Sequence, residues 1–304
     1  MTRAAIVLVL LCGCRGIAPL PVPGSQAALD PLEVALGERL FFDPALSADG
    51  TVACASCHDV AGGGAESRAT SVGVGGAEGR RNAPSVLSAA LKVRLFWDGR
   101  AESLEEQALG PLMNPAEMAM TVARVEAVLR DRYSTDFRAL GSEPELAAAT
   151  RAIATYERAL PPRTPVDAFL EGDAGALNQA ERAGYTLFTT HCESCHDGAG
   201  IGGQRFEVLG DRRPWPAERS EDLGRMEVTG DPADRLVFLV PSLRHVGRTA
   251  PYFHDGSVAT LEEAIELMGT YQLGVDLPPG EVADLAAFLR ALDADPDPSL
   301  TDGV

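Results

Sequence analysis

Positive charge is scarce in this sequence, which has 26 lysine and arginine residues against 44 aspartate and glutamate residues. The net charge of -18 argues against two classes of partner that attract basic surfaces, nucleic acids and anionic membranes. It is compatible with a basic protein partner.

Alternating apolar and polar patterns, which are typical of strands, are also scarce. Apolar residues recur at helical spacing instead, and Pro31, which follows Asp30, favours the start of the first helix. The length of 304 residues is sufficient for two domains, and the proline-rich segment 161–165 is a candidate linker. We predict a mainly α fold with helices at 31–42, 103–109, 121–130, 143–160, 178–190, 261–267 and 280–292.

The first 13 residues have the pattern of an export signal, with Arg3 before a short apolar stretch at 4–11. This stretch is too short to span a bilayer. The segment Leu11-Cys12-Gly13-Cys14 resembles a bacterial lipobox and predicts a lipid anchor at Cys14. The alternative is an ordinary signal peptide cleaved nearby. Both interpretations place the protein in the periplasm. Residues 14–28 are predicted to form a proline-rich tether before the first domain.

Four of the six cysteines lie in two Cys-X-X-Cys-His pentads, Cys54–His58 and Cys192–His196. This pattern is the attachment signature of a c-type haem. The two thiols bond to the porphyrin edge, and the histidine becomes an axial ligand of the iron. A single zinc ion held by all four cysteines is the alternative, but zinc does not require a histidine after each pair. We predict two covalent haems, with Cys54, Cys57 and His58 at haem 1 and Cys192, Cys195 and His196 at haem 2.

An internal repeat relates the two halves of the chain. When Pro84 is aligned with Pro241, Trp97 falls opposite His254 and Leu104 opposite Leu261, without a gap. This register predicts two cytochrome c-like haem domains that arose by duplication, with an insertion at 212–229 in the second. The predicted organisation is a signal at 1–13, a tether at 14–28, domains at 29–163 and 164–294, and a frayed acidic tail at 295–304.

The same register places Met268 opposite Pro111. Methionine can be the sixth ligand of a haem iron, whereas proline cannot ligate iron. We therefore predict that His196 and Met268 ligate the iron of haem 2, and that haem 1 lacks a ligand from the equivalent position. Simple core packing is the alternative role for Met268.

An amide and a carboxylate follow in the first half, at Gln107 and Glu117. Beside an open iron, a carboxylate can move a proton between the two oxygens of a peroxide, which assists cleavage of the O–O bond. A solvated acid at a helix start is the alternative for Glu117. Trp97 is suited to relay an electron between two haems, and ordinary core filling is its alternative role.

Together these motifs resemble the bacterial di-haem cytochrome c peroxidase family, which also includes the di-haem enzyme that matures a tryptophan-derived quinone cofactor. The resemblance extends from Asp30 to Leu292. It is carried by both haem motifs and by the segments 82–85, 96–100, 104–108, 114–118, 249–256 and 268–269.

The resemblance implies reduction of hydrogen peroxide to water, with a small cytochrome c or a blue-copper protein as the electron donor. Haem 1 would be the peroxidatic haem and haem 2 the electron-accepting haem. It also implies a homodimer and one calcium ion. The implied site residues are Glu117 as acid and base, Gln107 in the distal pocket, Trp97 between the haems, Met268 on haem 2, and Asn82, Thr249 and Pro251 around calcium.

One position departs from the family pattern. Many members carry a histidine that caps the peroxidatic iron until haem 2 is reduced, and Val74 stands at that position here. We therefore expect an enzyme that needs no reductive activation. Oxidation of a protein or organic substrate is one alternative function, and a non-enzymatic di-haem electron carrier is another.

Overall fold

The computed structural model describes residues 29–216, 219 and 221–303. The predicted signal, the tether and Cys14 lie outside these residues. The described part is mainly helical, as predicted, and none of its helices is long and apolar enough to cross a membrane. The helices are α1 Pro31–Phe42, α2 Leu104–Met113, α3 Val122–Arg132, α4 Ser134–Ala139, α5 Leu146–Ala159, α6 Pro165–Leu170, α7 Gln179–His191, α8 Met226–Thr229, α9 Leu261–Leu267 and α10 Pro279–Arg290. Two short strands, β1 Phe206–Val208 and β2 Val237–Leu239, pair antiparallel with Phe206 opposite Leu239.

Two helix pairs organise the two halves, and each pair crosses at a glycine. Helix α1 packs on α5 where Gly37 meets the carbonyl of Ala152, and α7 packs on α10 where Gly184 meets the carbonyl of Asp284. A β-carbon at either glycine would lie 1.9 Å from that oxygen. Only glycine allows the two backbones to approach so closely.

Two separate apolar cores surround these crossings. The first includes Leu40, Leu129 and Tyr156, and the second includes Phe188 and Phe288. Residues of the first core end at Leu160 and those of the second begin at Val166, on either side of the proline-rich segment. This arrangement is the one expected of a duplicated domain.

The repeated element after each haem motif has the same local structure in both halves. Phe96 and Phe253 both have a φ of 67°, and a turn at each closes a backbone bridge, Leu95 to Ala101 and Tyr252 to Val258. The following helices, α2 and α9, are then capped by the side chains of Ser103 and Thr260.

The two halves differ where these helices end. Helix α2 remains α-helical through Pro111 to Met113. Helix α9 passes instead into a π-helical turn, Met268–Leu273, that begins at the predicted iron ligand. π-Helical turns are rare in proteins, and those that occur are often found at functional sites.

The prediction of a frayed tail is wrong for the described residues 298–303. Pro298–Leu300 form a helical turn, and Leu300 packs against the first core. The hydroxyl of Tyr156 donates to the carbonyl of Leu300 at 2.6 Å. This apolar contact with the distant first half was not visible in the acidic composition of the tail.

A buried ion pair anchors the start of the second half. Arg244 donates to both carboxylate oxygens of Asp167, at 2.6 and 2.9 Å, and both side chains are almost completely buried. We expect Asp167→Ala to lower the free energy of unfolding by about 3–5 kcal/mol, because it leaves the guanidinium buried without its counterion. Chemical denaturation at neutral pH measures this loss.

Glu171→Ala is the matched control, because Glu171 forms an exposed ion pair with Arg163. This substitution should lower the free energy of unfolding by less than about 1 kcal/mol. Equal losses in the two variants would contradict the predicted difference between the buried and the exposed pair.

Candidate haem sites and distal pocket

A large apolar cavity, lined mostly by residues of the second half, includes the predicted haem 2 residues in its wall. Cys192, Cys195, His196 and Met268 all line it. Burial lowers the pKa of His196 to about 4, so the imidazole is neutral, which is the form that binds iron. The apolar walls and the paired imidazole and thioether suit a haem. Those walls include Phe188, Ile265, Leu285 and Leu289.

The histidine of the haem 1 motif is also buried. The Nδ1 of His58 lies 3.2 Å from the carbonyl of Gly64, and burial lowers the pKa of this imidazole to about 4. The carbonyl near Nδ1 of His58 orients this ring and leaves Nε2 to ligate iron. Among the described residues, Nδ1 of His196 is buried and has no hydrogen-bond partner.

Glu117 is held in place by the turn that follows α2. Its Oε1 accepts a hydrogen bond from Nδ2 of Asn114 at 2.6 Å. The carboxylate is half-buried, and the neighbouring Met118 is buried in the first core. The acid is therefore fixed by a side-chain amide and is not a freely solvated helix-start residue.

The loop that carries Val74 lies directly against Glu117. The backbone N–H of Val74 donates to the carbonyl of Glu117 at 2.8 Å. A β-carbon on Gly73 would lie 2.1 Å from the carbonyl of Ala116, so this approach requires glycine. Val74 and Cys54 both pack against the first core. Position 74 thus borders the acid directly.

Gln107 lies one helical turn before Pro111 on α2, and positions 107, 111 and 114 share a helix face. Within the described residues, the Gln107 side chain makes no hydrogen bond to Glu117. The structure therefore places Gln107 on the Asn114 side of the helix without linking it to the acid directly.

Trp97 joins the two halves. Its Nε1 donates to the carbonyl of Asn82 at 2.9 Å, and its own carbonyl accepts from the N–H of Leu239 at 2.8 Å. The indole lies 6.3 Å from the ring of His254, which stacks on Phe238 at 4.4 Å. Trp97 also lines the haem 2 cavity.

An ion network near Trp97 was missed in the sequence. Arg81 donates to Asp98 of the first half and to both carboxylate oxygens of Asp222 in the insertion. Arg225 of the insertion donates to the carbonyl of Asp98 at 3.1 Å. The network ties the insertion to the turn that holds Trp97. One hint of this network was present in the sequence, because Arg81 directly precedes the predicted calcium ligand Asn82. That position does not identify the distant acidic partners of Arg81.

The three predicted calcium ligands, Asn82, Thr249 and Pro251, all line this large cavity. Nδ2 of Asn82 donates to the carbonyl of Arg68 at 3.0 Å, which leaves Oδ1 as the ligand atom. Among the described residues, no cluster of three or more histidine, cysteine, aspartate or glutamate side chains could hold a metal ion. A cation here would be bound by amide and carbonyl oxygens, which suit calcium.

Comparisons with known proteins identify the family of this chain. Residues 31–175 match the family model of di-haem cytochrome c peroxidases. The chain shares 44% identity with the cytochrome c551 peroxidase of Nitrosomonas europaea, over 86% of this chain and 79% of the relative. It shares 40% identity with the cytochrome c551 peroxidase of Pseudomonas aeruginosa, over 84% and 77%.

The fold is also similar to that of a solved MauG-like protein associated with microbial copper homeostasis. The TM-score is 0.79 at 30% identity, and the match covers 96% of this chain and 97% of that one. The predicted resemblance is confirmed by sequence and by structure. The chain belongs to the di-haem cytochrome c peroxidase family, whose MauG relatives share its architecture.

Proposed function

We propose that this protein reduces hydrogen peroxide to water in the periplasm, with electrons from a small cytochrome c or a blue-copper protein. Each peroxide consumes two electrons and two protons and gives two waters. The observation that supports the proposal is the fixed placement of Glu117 by Asn114 and by the Val74 loop, in the half of the chain where Pro111 stands in place of an iron-ligating methionine.

Glu117 is the acid and base of this reaction. The hydrogen bond from Asn114 engages Oε1, so Oε2 is available to take a proton from one peroxide oxygen and return it to the other. Cys54, Cys57 and His58 would hold haem 1, which would supply the redox chemistry for cleavage of the O–O bond. Gln107 orders the distal pocket from the neighbouring turn of α2.

The second half accepts the donor electrons. His196 and Met268 hold haem 2, and a thioether ligand raises its potential. Trp97 lies between the two sites and hydrogen-bonds with both halves. The net charge of -18 suits a basic donor.

The absence of a capping histidine at position 74 supports activity without prior reduction. The test compares peroxide turnover of the fully oxidised protein with that of the one-electron-reduced protein, using several reduced donors. We expect equal rates and a high-spin ferric signal for haem 1 by electron paramagnetic resonance. Two low-spin signals with no high-spin signal would refute the open haem.

The second candidate function is oxidation of a protein or organic substrate, favoured by the likeness to the MauG-like structure. Met268 favours the peroxidase, because a thioether ligand would raise the potential of haem 2. Steady-state turnover with peroxide and reduced cytochrome c discriminates between the two. Loss of that turnover in a Glu117 variant that retains both haems would exclude a simple electron carrier.

We also propose a homodimer and a calcium ion bound by Asn82, Thr249 and Pro251. Removal of calcium by a chelator should lower peroxide turnover and loosen the contact between the halves, because these ligands come from both. Metal analysis, activity and susceptibility to proteolysis measure this. Added calcium, but not magnesium, should reverse the loss, since magnesium retains its water shell more strongly. Full activity in protein shown to contain no calcium would contradict the role.

A further inference from the structure

The π-helical turn Met268–Leu273 is held by a segment from the insertion side of the second half, residues 208–215, which we term the clamp segment. The side chain of Gln272 makes two hydrogen bonds with it. Its Oε1 accepts from the N–H of Gly210 at 3.0 Å, and its Nε2 donates to the carbonyl of Val208 at 3.1 Å. Gln272 and Met268 line the same cavity as His196.

The clamp segment also completes the hydrogen bonding of the turn. In an α-helix the carbonyl of Tyr271 would accept from the N–H of Val275. Here the N–H groups of Gly274 and Val275 both donate to Gly269. The freed carbonyl of Tyr271 accepts instead from the backbone N–H groups of Arg212 and Arg213, at 3.0 and 3.1 Å. The irregular turn therefore depends on donors from outside it.

An aromatic contact supports the same junction. Trp215 is only 5% exposed, and its ring centroid lies 5.2 Å from Tyr271 and 5.0 Å from Phe253. Phe253 lines the haem 2 cavity. Trp215 thus fills the space between the clamp segment, the π-helical turn and the cavity wall.

The first half has a shorter chain between its haem motif and the repeated proline, and the equivalent helix there ends differently. There the chain from the haem motif to the repeated proline is 30 residues long, from Cys54 to Pro84, whereas it is 49 residues long from Cys192 to Pro241. Helix α2 continues as a regular α-helix past Pro111, which cannot ligate iron. The extra length and the π-helical turn occur together, in the half that carries the methionine.

We infer that Gln272 and Trp215 are positioning residues that hold Met268 at its place above haem 2. This inference rests on the proposed ligation of haem 2 by Met268. The extra length of the second half would then stabilise the thioether ligand against competing ligands. This ligand keeps the potential of haem 2 high.

The test uses the protein with both haems bound. The long-wavelength absorption band of a methionine-ligated ferric haem is followed while imidazole is added, and the potential of haem 2 is titrated. Gln272→Ala should let imidazole displace the methionine at an about tenfold lower concentration, because two hydrogen bonds are lost. Its haem 2 potential should fall. Gln272→Glu, which keeps the acceptor and loses the donor, should give a smaller change, and Trp215→Ala a change like that of Gln272→Ala.

Gln204→Ala is the matched control, because Gln204 also donates to a backbone carbonyl, that of Leu91 at 2.9 Å, away from the π-helical turn. It should leave the band and the imidazole titration unchanged. The inference is overturned if Gln272→Ala and Trp215→Ala behave as the unaltered protein does. Met268→Ala tests the ligation of haem 2 on its own, because an absorption band that survives this change would refute the ligation. Peroxide turnover of the unaltered protein tests the proposed reaction independently.

Discussion

Replacing Glu117 by glutamine should lower peroxide turnover by about 100- to 10,000-fold, the range that a positioned acid and base contributes. Glutamine retains the size of the side chain and can still accept the hydrogen bond from Asn114. It cannot take a proton from one peroxide oxygen and return it to the other. The loss should appear in stopped-flow measurements as slow reaction of haem 1 with peroxide, while the absorption spectra of both haems stay unchanged.

Glu143→Gln is a suitable control, because it makes the same chemical change at an exposed position just before α5. Its turnover should equal that of the unaltered protein. The proposed role of Glu117 fails if Glu117→Gln retains full turnover with peroxide. A variant that lost haem would not test the role, so haem content is measured first, and Glu117→Asp offers a shorter acid that should retain part of the activity.

Introducing the missing histidine should have the second large effect. In Val74→His the imidazole would lie beside Glu117, because the hydrogen bond from the N–H of residue 74 to the carbonyl of Glu117 needs no particular side chain. The new ligand should cap the iron of haem 1 in the oxidised protein. Turnover of the oxidised variant should fall by about 100-fold, since only the uncapped fraction can bind peroxide.

Prior reduction of haem 2 distinguishes a cap from simple damage to the site. If the loop can release the histidine on reduction, one-electron-reduced Val74→His should recover turnover, and the high-spin signal of haem 1 should return. Val74→Leu, which has an apolar side chain and no ligand atom, should keep both the activity and the signal of the oxidised protein. An unchanged high-spin signal in Val74→His would show that position 74 does not reach the iron.

The repeat and the haem motifs were sufficient to predict the mainly helical fold and the family, whereas the roles of the site residues stay predictions. The prediction used local patterns, namely the haem motifs, the aligned prolines and the difference between Met268 and Pro111. Such patterns can be recognised in the sequence without knowledge of tertiary contacts. The short helices α4, α6 and α8 were not predicted, because four to six residues carry too little periodicity to be recognised.

Contacts between distant segments could not be predicted in the same way. The pairing of Arg81 with Asp222 joins residues 141 positions apart, and the hydrogen bonds of Gln272 reach 62 and 64 positions back. Nothing in the local sequence selects one acid or one carbonyl among many. The hydrogen bond from Val74 to Glu117 is a backbone contact, so residue type alone could not reveal it.

The packing of Leu300 on the first core has a consequence for how the protein is made. The hydroxyl of Tyr156 finds its acceptor 144 residues later in the chain, so the first half is complete only after residue 300 has been synthesised. During synthesis the first half therefore emerges well before this late segment. Until Leu300 is in place, the core of the first half is partly uncovered. Haem has to be attached at Cys54 and Cys57 in the same period.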